Sequence, residues 1–195
     1  EAEFEIMQVI WETEVPVTSS FILKELQERR KWQLSTLMTS LSRLVDKGFI
    51  SCDRTTGSNL YSSIISENDL YEITGIQKQK FNTIYQLMAL KQQNPESLDR
   101  AQSMLMIPDY FNFLLTGNKL QEYTNATTTQ LVDPKANDWN WALIDRLGYP
   151  RTLFQTIMMA GSIVGNLADS IQKQVGFECK VVLPATHDTA SAVMA

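Results

Sequence analysis

WQLSTLMTSLSRLVDKGFI, residues 32–50, carries the spacing from which the fold of the first third of the chain follows. Leu37, Leu41, Leu44 and Val45 recur at intervals of three and four, the mark of one buried helical stripe, so a helix is predicted over residues 35–47. Gly48 stands where a left-handed residue would end it. Thr36, Thr39, Ser40, Arg43 and Lys47 fall at offsets 0, 3, 4, 7 and 11, which predicts that they share the face opposite the leucines. Hydroxyls and cations without an acid suit base edges and phosphates. A simply solvated helix face carries the same residue types.

Working outward, Phe4, Met7, Ile10 and Trp11 keep helical spacing until Pro16 breaks it. Thr18, Ser19 or Ser20 can cap a second helix, carried by Ile22, Leu23 and Leu26 to a basic end at Arg29, Arg30 and Lys31. After Gly48 come a predicted strand over residues 49–53, a T-T-G-S-N turn and a second strand over residues 60–64. Three short helices followed by a β-hairpin is the order of a winged helix. Such a segment can bury a small core with a thin stability margin.

The whole chain has 195 residues, 44% apolar and 20% charged, an ordinary globular composition. Six Pro and eight Gly exclude collagen-like and Pro/Gly-rich disordered classes. No apolar run nears the roughly 20 residues that span a bilayer, and no charged-then-apolar leader opens the chain, so a cytoplasmic protein without a membrane partner is expected. Cys52 and Cys179 form no C-x-x-C pair, and His187 is the one histidine. A zinc ribbon, a disulfide scaffold and a His-rich metal site are thereby excluded. The net charge of −5 is uneven: residues 1–23 hold five acids and no base, and residues 24–54 hold seven bases against four acids. A basic stretch in an acidic chain suits one anionic partner, or a solvated face.

Residues 32–50, with EAEFEIMQVIW (1–11) and NLYSSIIS (59–66), closely resemble the penicillinase-repressor family over about residues 1–69. The resemblance implies a winged helix whose third helix enters the major groove of palindromic operator DNA as a dimer. It carries over to Thr36, Thr39 and Arg43 as recognition-helix positions; Met38 stands where several members have a base. Nothing after Ser66 resembles the family's helical dimerisation domain.

The remainder differs in character. Thr74 and Gly75 mark a break, and helices are predicted over residues 81–90, 97–106, 108–115 (stopped by Gly117) and 141–147 (closed by Gly148 and Pro150). The Thr-rich run 123–131 reads as loop or strand, and residues 180–184 as a short buried strand turning into a final helix. His187, Asp188 and Thr189 sit at that turn, at the carboxyl end of a strand, where open α/β sheets place ligands. A carboxylate there can act as general base on a hydroxyl, or can cap the helix that follows.

ITGIQ (73–77), FNTIYQL (81–87), MIPDYFNFLLTG (106–117), EYTNATTTQLVD (122–133) and THDTASAV (186–193) resemble the rhamnulose-phosphorylating branch of the FGGY carbohydrate kinases. The resemblance spans about residues 70–195 and implies part of an actin-like, ribonuclease-H-like α/β domain acting on L-rhamnulose with ATP and Mg²⁺. It makes Asp188 the base that deprotonates the accepting sugar hydroxyl, with His187, Asp188 and Thr189 contacting the substrate. The family's opening phosphate-binding strand and turn and its second, ATP-gripping domain have no counterpart here, so the segment is expected to bind no cofactor and not to catalyse alone. The fold class expected is therefore mixed: a winged helix over 1–69, then a partial α/β kinase segment over 70–195. No Gly/Ser/Pro linker separates them between Ser66 and Thr74, which suits a chimeric chain better than an evolved two-domain regulator. A DNA-binding module, a sugar-kinase segment and a composite without function are the three readings this leaves.

Overall fold

The helical stripes close on one another first. In the computed structural model, which describes residues 2–13, 15–27, 31–46, 48–55 and 57–194, contacts divide the chain into Glu1–Ile73 and Thr74–Ala195, against the expected 69/70. The division falls near the end of a helix, α4 (Glu67–Thr74), where the sequence pattern predicts only a junction.

In the first unit, α1 (Ala2–Glu12) buries Ile6, Met7, Val9 and Ile10. A two-residue strand, β1 (Val17–Thr18), leads into α2 (Ser19–Gln27), and Phe21 N–H donates to Thr18 Oγ1 at 3.2 Å, the expected N-terminal cap. The helix α3 (Leu34–Asp46) buries Leu37, Leu41 and Leu44 completely. It ends at Gly48, whose φ of +71° a side chain would resist, with Phe49 N–H on the Leu44 carbonyl at 2.9 Å. Strands β2 (Ile50–Asp53) and β3 (Leu60–Ser63) pair antiparallel, Ile50 opposite Ser63. β1 adds to β3 with Val17 opposite Tyr61, giving the order β1-β3-β2. Two residues are too few to show alternation, so β1 exists only through its partner. Trp32, buried, donates from Nε1 to Glu5 Oε2 at 3.2 Å and ties the start of α3 to α1. Arg29, Arg30, Lys47 and Thr56, and the side chain of Phe4, lie outside the described residues.

In the second unit, α5 (Thr83–Gln93) is followed by α6 (Pro95–Arg100), not by a helix over 97–106. The Asn94 side chain accepts from Ser97 N–H and starts α6 early, with Pro95 at its first position. Next come α7 (Ile107–Thr116), ended by left-handed Gly117, then β4 (Gln121–Glu122) and α8 (Tyr123–Thr127). The expected loop or strand at 123–131 thus opens as a helix. Its cap is the Glu122 carboxylate, a long-side-chain cap outside the usual Ser/Thr/Asp/Asn signal.

Strands β5 (Val132–Asp133) and β6 (Asp138–Trp139) form a small antiparallel ladder ahead of α9 (Trp141–Arg146) and a 3₁₀ turn at Arg151–Leu153. β7 (Ile157–Met158) pairs parallel with β4, Glu122 beside Met158. β8 (Ile163–Asn166), α10 (Asp169–Val175), β9 (Lys180–Val182) and α11 (Asp188–Met194) complete the unit. The sequence predicts a buried strand at β9, yet Lys180 and Val182 are exposed: they alternate with Val181, which packs on the inner cluster, so only one face of the strand is covered.

Ile84, Leu98, Leu131 and Ile144 are wholly buried. Tyr149 Oη donates to the Ile84 carbonyl at 2.8 Å, and burial drives its phenol well above the ordinary value. A smaller cluster of Leu120, Val164 and Leu183, flanked by Met158 and Val181, brings the end of β9 beside β4. That packing sets up the site.

Candidate functional site

α7 begins at Ile107 and Pro108, where proline's missing N–H and fixed φ suit a first turn, and this places Asp109 in that turn with 1% of its surface exposed. Its Oδ1 accepts the Glu122 N–H at 3.1 Å, while Oδ2 is buried without a hydrogen-bond partner. Burial raises the Asp109 carboxyl from 3.8 to about 6; the Glu122 N–H opposes this, and the Glu122 charge adds to it.

Glu122 is completely buried. Its Oε1 accepts Thr124 N–H at 2.9 Å, and its Oε2 accepts Asn125 N–H at 3.1 Å and Thr124 Oγ1–H at 2.5 Å. The same Oε2 accepts Thr186 N–H at 3.1 Å and Thr186 Oγ1–H at 2.9 Å. Burial alone would push this carboxyl up, but the donors of Thr124 and Thr186 outweigh it and hold the group below its ordinary value. Thr124 Oγ1 in turn accepts His187 N–H at 3.2 Å.

The turn between β9 and α11 is therefore anchored at two successive N–H groups, and Asp188 follows it. The Asp188 side chain is 96% exposed, with Oδ1 accepting Thr189 N–H at 2.7 Å and lying 3.7 Å from His187 Nε2. Ser191 Oγ–H closes back on the Ala185 carbonyl. His187, Asp188 and Thr189 are thus brought together, with an open carboxylate above a fixed floor. Sequence reasoning misses Asp109, Glu122, Thr124 and Thr186. A Pro-Asp pair at a helix start and an acid heading a Thr/Asn run are the available signals, but neither reveals burial.

On α3, Thr36, Thr39 and Arg43 are exposed, and Thr39 Oγ1–H bonds the Ser35 carbonyl at 3.0 Å. Ser40 is a correction: it is 7% exposed, because it stands three residues after Leu37 and four before Leu44 and so edges onto their stripe. Lys47 lies outside the described residues. A cleft in the first unit, lined by Trp11, Val15, Pro16, Ser63 and Asn68 among others, holds none of these side chains. No helix among the described residues is long and apolar enough to cross a membrane.

Residues 42–195 match the N-terminal domain of the FGGY family of carbohydrate kinases, a match that begins within α3 and takes in β2, β3 and α4 as well as the second unit. The chain is 55% identical over 133 residues to a rhamnulokinase of Oceanobacillus iheyensis, covering 68% of this chain and 28% of that relative. It is 55% identical over 126 residues to a rhamnulokinase of Halalkalibacterium halodurans, covering 65% of this chain and 27% of that one. The chain thus spans a little over a quarter of the length of these curated relatives. Among solved structures, a xylulose kinase from Rhodospirillum rubrum shares the fold at a TM-score of 0.60 and 14% identity, over 74% of this chain and 33% of that one. A ligand-bound xylulose kinase from Lactobacillus acidophilus does so at 0.58 and 22%, over 76% of this chain and 27% of that one. With this match over most of its length, the chain belongs to the FGGY family of carbohydrate kinases.

Proposed function

We propose that the segment from about residue 70 onward is the sugar-binding part of a rhamnulokinase-type kinase, with L-rhamnulose as substrate and Asp188 as general base. The observation that carries this reading is the Asp188 carboxylate, open to solvent immediately after a backbone turn anchored at Thr186 and His187. A base in that position accepts the proton of a sugar hydroxyl as its oxygen bonds the γ-phosphorus of ATP and the bond from that phosphorus to the departing ADP breaks, and such assistance contributes about 10²–10⁴-fold. His187 and Thr189, adjacent in the turn, supply polar contacts to the sugar. The 55% identity to rhamnulokinases favours rhamnulose over other sugars.

The family uses ATP with Mg²⁺ as phosphoryl donor. Among the described residues no three His, Cys, Asp or Glu side chains gather into a cluster, and no step is derived through the metal. The test is isothermal titration of the chain with L-rhamnulose and, as comparison, D-xylulose. Binding of L-rhamnulose in preference, weakened about tenfold or more by Asp188→Asn, is expected from loss of a charged hydrogen-bond acceptor. Equal, Asp188-independent heats for both sugars would refute the reading.

A second reading concerns residues 1–69: a winged-helix, repressor-type module that binds palindromic duplex DNA through α3, joined to the kinase segment as a composite chain. It is supported by the element order α1-β1-α2-α3-β2-β3 and by the exposed, acid-free set Thr36, Thr39 and Arg43. The family match reaching back to residue 42 favours the kinase reading as the identity of the chain.

A further inference from the structure

We propose that Glu122, acting with Thr124, is a positioning residue that fixes the Thr186–His187 turn and thereby aims Asp188 at the substrate; the functional half of this inference rests on the kinase reading above. Helix capping accounts for only part of what Glu122 does. The bonds from Thr124 N–H and Asn125 N–H suffice to start α8, a helix of five residues. The same carboxylate accepts two further donors, the N–H and the hydroxyl of Thr186, from 64 residues away. Thr124 extends the grip by one residue: its hydroxyl donates to Glu122 Oε2 and accepts His187 N–H. The two N–H groups that immediately precede Asp188 therefore both end on the 122–124 segment. That segment is itself held from below, by Asp109 through the Glu122 N–H and by the pairing of β4 with β7.

A carboxylate suits this position because each donor converging on it needs an acceptor. In Glu122→Gln one oxygen becomes an NH₂ group of nearly the same shape, and whichever way the amide is turned a donor faces a donor. Glu122→Asp keeps both acceptors but withdraws them by one methylene. Thr124→Val removes only the hydroxyl and leaves the Thr124 N–H cap in place.

The experiment measures amide hydrogen exchange by NMR on the full chain, alongside titration with L-rhamnulose. In Glu122→Gln the Thr186 and His187 amides should exchange about tenfold faster or more, with the Leu147 and Tyr149 amides of α9 and its exit unchanged. Thr124→Val should accelerate His187 while leaving Thr186 near wild type. Glu122→Asp should restore part of the protection. L-rhamnulose affinity should fall in Glu122→Gln although Asp188 is intact, and once Asp188→Asn is in place, adding Glu122→Gln should lower affinity by a smaller factor than it does in the wild-type background. The inference is overturned if Thr186 and His187 exchange as in wild type in both Glu122→Gln and Thr124→Val. It is equally overturned if exchange rises uniformly across the unit, the result of a merely structural role, or if Glu122→Gln binds the sugar as tightly as wild type while Asp188→Asn does not. Should Glu122→Gln fail to fold, Thr124→Val decides by its His187 amide. Failure of the kinase reading is separate: Asp188→Asn would then bind L-rhamnulose like wild type, and the exchange rates would still decide whether Glu122 fixes the turn.

Discussion

Thr186 Oγ1 lies 2.9 Å from Glu122 Oε2, a hydroxyl donating to a buried carboxylate across 64 residues of chain. The bond joins the exit of β9 to the start of α8. Thr186→Val keeps the shape and the backbone N–H but removes the hydroxyl, so Glu122 loses one of its donors. The variant should be destabilised by about 1.5–3 kcal/mol, the usual worth of a hydrogen bond to a charged group. The urea midpoint of the second unit's unfolding measures it.

Asp109 should make stability depend on pH in the direction opposite to a salt-bridged acid. Its carboxyl sits at about 6 in the folded chain, against an ordinary 3.8, chiefly because burial disfavours the charge. The folded state therefore holds this proton more tightly than the unfolded chain does. The stability it confers is complete below about pH 4 and is lost as pH rises through about 6, a swing of at most about 3 kcal/mol. Asp109→Asn cannot ionise, so the stability of the variant relative to wild type should improve steadily between pH 4 and pH 7. Thermal melts at half-unit pH intervals test this, and a difference that stays flat across the range would rule it out.

Gly117 ends α7 at φ +78°, with its N–H on the Phe113 carbonyl at 2.7 Å. A methyl group there would meet no atom within 4 Å, so backbone conformation alone decides the outcome. Gly117→Ala should cost about 1–2 kcal/mol through the left-handed penalty. Chemical denaturation gives the value, and a neutral result would mean that the helix ends differently in solution.

Under the DNA reading, Arg43→Ala should weaken binding to a palindromic duplex by about 1–3 kcal/mol if Arg43 reads a base edge. If Arg43 meets phosphate instead, the loss should be uniform across sequences. Ser40→Ala should change little, since Ser40 faces inward. Affinity should fall steeply with salt. Gel-shift titrations against palindromic and scrambled duplexes are the measurement; equal affinities with no Arg43 effect would exclude specific readout.

Local chemistry made the first unit legible. The leucine stripe of α3, the Thr18 cap of α2, the glycine end at Gly48 and the β2–β3 hairpin all follow from side chains within a few residues of one another. The turn bearing His187, Asp188 and Thr189 was visible for the same reason, as a short apolar strand running into a polar helix start. Tertiary structure decided the rest. β1 and β8 exist because a partner strand supplies their hydrogen bonds, and Ser40 turns inward because the leucine stripe is wider than its four leading positions. Glu122 and Asp109 acquire their roles only when chain segments far apart in sequence close over them: burial desolvates both carboxylates, and the Thr186 donors that reinforce the neighbouring Thr124 in keeping Glu122 charged come from 64 residues away.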